Sequence, residues 1–122
     1  MDEIKELTKA EEQIMQELWM MEGGFVKEVI DRLPEPKPAY NTVSTIVRIL
    51  ETKGFVDHQA FGKSHRYIPK IQKDTYKKMI AGKLLNGYFD NSPKHMLSFF
   101  LEENKLDVKE LNEILTLINN QK

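Results

Sequence analysis

The segment Pro38–Val56, PAYNTVSTIVRILETKGFV, divides one helix into two chemically distinct faces. Val43, Ile46, Val47 and Leu50 recur at helical spacing and form a stripe suited to burial. Asn41, Ser44, Thr45 and Arg48 recur at the same spacing on the other side, and no acid stands among them. A helix that enters the major groove approaches base edges and phosphates closely. Short hydrogen-bonding side chains suit that approach, and carboxylates are repelled by it. Glu51 is the first acid of this helix. A solvated surface helix can have the same composition, so the neighbouring segments decide between the two readings.

Downstream, Lys53-Gly54 gives a stop signal, and Val56 to His58 reads as a short strand. Ala60-Phe61-Gly62-Lys63-Ser64 supplies a turn with a glycine, and His65 to Ile68 returns as a second strand before Pro69. Upstream, Thr8-Lys9-Ala10-Glu11 is a capping box. It opens a helix with Ala10, Ile14, Leu18 and Met21 on one stripe and Met15 and Trp19 alongside, stopped by Gly23-Gly24. Phe25 to Leu33 reads as a second short helix with Val26, Val29, Ile30 and Leu33 on one side. The proline-rich Pro34–Pro38 then turns the chain into the reading helix. Three helices followed by a basic-tipped hairpin is the order of a winged helix-turn-helix, so the expected class is mainly α with a small β-hairpin.

Beyond Pro69 the pattern predicts three more helices. The first, Asp74 to Phe89, carries Ile80, Leu84, Leu85, Tyr88 and Phe89 and is weakened by Gly82 and Gly87. The second follows the Ser92-Pro93 cap and carries Met96, Leu97, Phe100 and Leu101. The third follows Asp107 with Glu110 and carries Leu111, Ile114, Leu115 and Ile118. So short a tail does not bury this much apolar surface by itself, which points to a partner surface, most economically in a symmetric homodimer. The expected domains are 1–70, a winged DNA-binding domain, and 71–122, a helical dimerisation region. Two wings related by a two-fold axis would read a near-palindromic duplex.

The AYNTVSTIVRILETKGFV segment, the GKSHRY wing and the LTKAEEQIMQELW opening together resemble the BlaI/MecI/CopY family of penicillinase-type repressors, as does Leu97–Leu106. The resemblance runs through most of the chain. It implies a dimeric repressor with an N-terminal winged helix and a C-terminal helical dimerisation region. It also implies inactivation by a membrane sensor metalloprotease that cuts just before a phenylalanine. That position corresponds to Phe100, preceded here by Phe99 where the penicillinase repressors have asparagine. Asn41 and Ser44 stand where family members can carry longer basic residues, so the operator sequence does not carry over.

Charge agrees with this reading in its distribution rather than its total. The 122-residue chain has a formal net charge of -1. Residues 1 to 36 hold 10 acids and 4 bases, whereas 37 to 78 hold 9 bases (Lys37, Arg48, Lys53, Lys63, Arg66, Lys70, Lys73, Lys77 and Lys78) and 3 acids. The basic excess falls on the reading helix, the wing and the next helix, where phosphates would lie. Candidate contacts are Asn41, Thr42, Ser44 and Thr45 to base edges or phosphates, Tyr40 to a phosphate, and Arg48 to backbone or guanine. Lys63, Ser64 and Arg66 on the wing suit phosphate or minor-groove contact.

Other chemistry finds little support. There is no cysteine, which excludes the thiolate copper sensing of one branch of the resembled family. No signal-like N-terminus or membrane-length apolar run occurs, so a cytoplasmic protein without direct membrane binding is expected. Gly62-Lys63-Ser64 ends like a phosphate-binding loop, but Asp57 occupies the place of its first glycine. His58 and His65 can face each other across the hairpin; as solvated histidines they need no metal, and none is expected. No nucleophile-base pair, paired carboxylates or nucleotide loop appears, so neither an enzyme nor a cofactor is expected. A small-ligand-sensing winged-helix regulator is the alternative. That class commonly places a dimerisation helix ahead of the reading unit, which here starts almost at the N-terminus. A winged helix used as a protein interaction module would need no acid-free polar face.

Overall fold

The computed structural model describes residues 4–120, with side chains to residue 117. The element order is α1 (Lys9–Met21), β1 (Gly24–Phe25), α2 (Val26–Arg32), α3 (Tyr40–Thr52), β2 (Val56–Phe61), β3 (Ser64–Pro69), α4 (Lys73–Tyr88), α5 (Pro93–Glu102) and α6 (Val108–Asn120). Two compact units divide within α4, the first running to Met79 and the second beginning at Ile80.

In the first unit, α1 starts at the expected capping box. Thr8 Oγ1 accepts from the Glu11 amide, and Glu11 Oε1 accepts from the Thr8 amide. The buried stripe of α1 is Glu11, Ile14, Met15 and Leu18, whereas Ala10, expected on it, is exposed. Glu11 is buried because Lys53 Nζ, at the end of α3, donates to its Oε1 at 2.6 Å. Burial raises the Glu11 carboxyl, but the bonds from Lys53 and Thr8 and the lysine charge outweigh it and hold the group below its ordinary value.

The first glycine after α1 serves a purpose that a stop signal does not convey. The left-handed residue of the cap is Glu22, and Gly23 donates back to Leu18 O at 3.0 Å. A Cβ on Gly23, whose φ is +114°, would lie 3.0 Å from Tyr67 O, whereas one on Gly24 would collide only with the movable end of the Met21 side chain. The close approach lets Gly24-Phe25 form a short strand opposite Tyr67 and Arg66. The second helix therefore begins at Val26, one residue later than expected, and the hairpin becomes a three-stranded antiparallel sheet in the order β1-β3-β2. The hairpin strands are longer than expected and pair from Val56↔Pro69 to Phe61↔Ser64. Only Gly62-Lys63 remains as the turn, with positive φ at Gly62 alone, the pattern of a type II′ connection.

Helix α3 buries Val43, Val47 and Leu50. Its end is a Schellman motif, with the Phe55 amide donating to Leu50 O and the Gly54 amide to Glu51 O. The start of α4 belongs to this unit. Buried Tyr76 accepts the Leu7 amide on its hydroxyl at 2.8 Å and packs edge-on against Phe55, while Trp19 Nε1 donates to Ile71 O.

In the second unit the expected caps are present. Ser92 Oγ accepts from the His95 amide, and Asp107 and Glu110 form a reciprocal pair. Among its described residues none is buried. Leu85, Phe89, Met96, Leu97, Phe100, Leu101, Leu111 and Ile114 are half-buried, and Leu84, Tyr88 and Leu115 are exposed. The side chain of Ile118 lies outside the described residues.

A carboxyl held below its ordinary value stabilises the fold fully above the unfolded pKa, about 4.3 for glutamate, and loses that contribution as pH falls through the folded value. Glu11→Gln is therefore expected to lower stability at neutral pH and to flatten the acid limb of the stability profile. Urea unfolding followed by Trp19 fluorescence measures both, and an acid limb as steep as that of the natural chain would contradict the role given to Glu11.

Candidate nucleic-acid interface

Burial of Val43, Val47 and Leu50 turns the opposite side of α3 outward. Asn41, Thr42, Thr45 and Arg48 are exposed, Ser44 is half-buried, and Tyr40 is 51% exposed at the first helical position. The helix starts without a side-chain cap and with no acid in its first turn, so its amide dipoles face outward uncompensated. Arg48 Nε donates to Ser44 O at 3.3 Å, which lays the guanidinium stem along the helix.

Lys37 fixes the entry to α3. Its Nζ donates to the carbonyls of Ile30, Asp31 and Leu33 at 3.1, 3.1 and 2.7 Å, closing the C-terminal end of α2. Lys37 and Lys53 both fall within the basic excess expected near phosphates. Both are engaged structurally instead, one by these carbonyls and one by Glu11. Lys77 pairs with Asp74 on the surface at 3.1 Å. Arg48, Lys63, Lys70, Lys73 and Lys78 remain exposed.

On the wing, Lys63 and Ser64 are exposed at the tip. Arg66 is half-buried against the turn after α1, with its Nη2 donating to Glu22 O at 3.5 Å, so it is less available than the other two. Phe61 is 55% exposed and meets Phe25 edge-on at 5.7 Å. Tyr40, Ser64 and His65 border a groove of about 520 Å³ together with Phe25, Phe61 and Glu28.

Beside this groove stand the two histidines expected to be solvated, and they form a cluster. His58 and His65, diagonal neighbours on one face of the hairpin, stack with centroids 4.2 Å apart and planes 11° from parallel. Glu51 Oε2 lies 2.7 Å from His58 Nδ1, which donates to it. Beneath them Tyr67 is buried, its ring 6.1 and 6.2 Å from the two imidazoles. Burial pushes the Tyr67 phenol up, Glu51 adds to the rise and Arg48 opposes it, which sets this face of the sheet beside α3. The one acid of α3 is thus tied to an imidazole. Periodicity alone does not reveal this, although a histidine seven residues after a helical glutamate, at the start of a strand, is a usable signal. Among the described residues no group of three metal-ligating side chains occurs, and no helix is long and apolar enough to cross a membrane.

Comparison with known proteins agrees with this geometry. The chain is 26% identical over 123 residues to the penicillinase repressor of Bacillus licheniformis, spanning 100% of this chain and 96% of that protein. It is 22% identical over 115 residues to the methicillin resistance regulatory protein MecI of Staphylococcus aureus, spanning 93% and 94%. The solution structure of the DNA binding domain of the repressor BlaI superposes with a TM-score of 0.53 at 27% identity, covering 62% of this chain and 94% of that domain. The profile of the penicillinase repressor family matches residues 7–120, and the chain, a winged helix with an added helical region, belongs to that family.

Proposed function

We propose that this chain is a dimeric, sequence-specific DNA-binding transcriptional repressor that reads a near-palindromic duplex through α3 and the wing. The observation that carries the reading is the outward face of α3, where Asn41, Thr42, Thr45 and Arg48 are exposed beside a lysine-tipped hairpin. Asn41, Thr42, Ser44 and Thr45 take base edges or nearby phosphates, Tyr40 and Arg48 take backbone, and Lys63 and Ser64 take phosphate or the minor groove, with Arg66 a secondary contact. The relatives named as repressors and the BlaI DNA binding domain support the same reading.

The second unit supplies the dimer in this proposal. Its described residues include none that is buried, and Leu84, Tyr88, Phe99, Val108, Leu115 and Leu117 are exposed at 37%, 80%, 46%, 66%, 43% and 63%. Of these, Phe99 (read as part of a cleavage position), Val108 and Leu117 were not among the expected dimerisation residues. A second copy would cover such surface by a two-fold match of like helices.

Regulation by a membrane sensor metalloprotease that cuts between Phe99 and Phe100 belongs to the same reading. That peptide bond lies inside α5, and Phe99 packs against Phe89 at 5.6 Å. A protease that binds extended backbone needs α5 to open first.

Selection of duplexes from a random pool, followed by anisotropy titration across salt, tests the DNA reading. A common inverted-repeat sequence and an affinity that falls steeply with salt are expected. Recovery of no common sequence, with salt-insensitive binding, would defeat it. Thr45→Ala is expected to weaken binding to the selected duplex by roughly 1–3 kcal/mol while leaving the sedimentation mass unchanged. Leu115→Asp is expected to give a monomer at micromolar concentration and to lower affinity for the two-half-site duplex by roughly 100-fold or more through loss of bivalency. A natural chain that sediments as a monomer would remove the dimer.

A further inference from the structure

The geometry points to His65 as an additional phosphate contact, oriented by His58 and Glu51, so that DNA binding by this protein takes up a proton. The inference rests on the DNA-binding reading above and adds to it a residue and a pH dependence.

Position comes first. His65 borders the groove shared with Tyr40, at the start of α3, and Ser64, at the wing tip, so a backbone that touches both passes its imidazole. Orientation comes second. One ring face of His65 is covered by His58 at 4.2 Å, and Tyr67 lies against it at a 62° angle. His58 is itself held by the 2.7 Å bond to Glu51 of α3, so the wing and the reading helix set the ring together. His65 is exposed, and its ring nitrogens have no hydrogen-bond partner among the described residues.

The charges around the ring explain why a proton would arrive with DNA. On β2 a protonated His58 would repel a second cation, but Glu51 of α3 offsets that charge. On β3 the neighbour is Tyr67, a neutral phenol whose ionisation is pushed further up, and Arg48 of α3, whose charge acts on that phenol, adds a cation to this face. Across the groove α2 presents Lys27 and Glu28, which oppose each other, and α3 presents the Tyr40 hydroxyl. A phosphodiester in the groove would place an unpaired anion beside the ring, and a protonated His65 would donate to one of its non-bridging oxygens.

The test is an anisotropy titration of the full chain with a labelled duplex of mixed sequence at low, fixed ionic strength, between about pH 6 and 8. Binding should tighten by roughly three- to tenfold toward the acid end, the scale of one histidine that takes up a proton on binding. His65→Asn should remove most of this slope, whereas His95→Asn, in the second unit, should keep it. His58→Asn should weaken it, because the stack that orients the ring is gone. A natural chain with no pH dependence, or a His65→Asn slope equal to the natural one, would overturn the inference. Should His65→Asn fail to fold, calorimetry of the natural chain in buffers of different ionisation enthalpy decides, since it must report net proton uptake on binding. Binding that is salt-dependent but takes up no proton removes only this inference. Failure to bind the duplex at any pH removes the DNA-binding reading with it.

Discussion

Burial of Val43, Val47 and Leu50 sets the rotation of α3 about its axis, and the rest of the proposed interface depends on that rotation. Each such side chain contributes roughly 1.5–3 kcal/mol when removed from water. Turning the helix by one residue would expose part of this stripe and draw the adjacent polar or charged side chains into the core without partners, a penalty of similar size for each polar group. Asn41 and Thr45 therefore face outward as a consequence of aliphatic packing on their other side. Lys37, bonded to three carbonyls at the end of α2, and the Schellman motif at Gly54 fix where the helix begins and ends.

Electrostatics follows from the same packing. A count of bases along residues 37 to 78 treats all lysines alike, but the fold separates them into two groups. Lys53 is drawn into a bridge with buried Glu11, and Lys37 is used as a cap. Neither then offers a free charge to a phosphate. What remains exposed is Arg48 on α3, Lys63 at the wing tip, and Lys70, Lys73 and Lys78 beyond it. Glu51 would oppose an approaching polyanion, and its hydrogen bond to His58 lessens that opposition.

The two units differ in what they bury. The winged unit has a core of its own, including Met15, Leu18, Val29, Leu50 and Phe55, all fully enclosed. It is completed by Tyr76 from the first turns of α4, and this unit runs to Met79. The helices after Met79 carry a similar density of apolar side chains but enclose none of the described ones. An apolar surface left open in this way supports the proposal that these helices form an assembly region.

Within single segments the amino-acid sequence was sufficient. The apolar repeat of α3, the Thr8 and Asp107 capping boxes, the Ser92 cap and the glycine of the wing turn are decided by residues within a turn or two of each other, and so is the polar face of α3. Tertiary structure decided the rest: the β1 strand, the reason Gly23 is a glycine, the burial of Glu11, the capping role of Lys37, the place of Tyr76, and the stacking of His58 on His65. Most of these join residues far apart in the chain, such as Leu7 with Tyr76, Glu11 with Lys53 and Gly24 with Tyr67. Periodicity reports only the preference of a segment for one face. Which charged group meets which, and where two backbones must touch, is set when those faces close on a shared core.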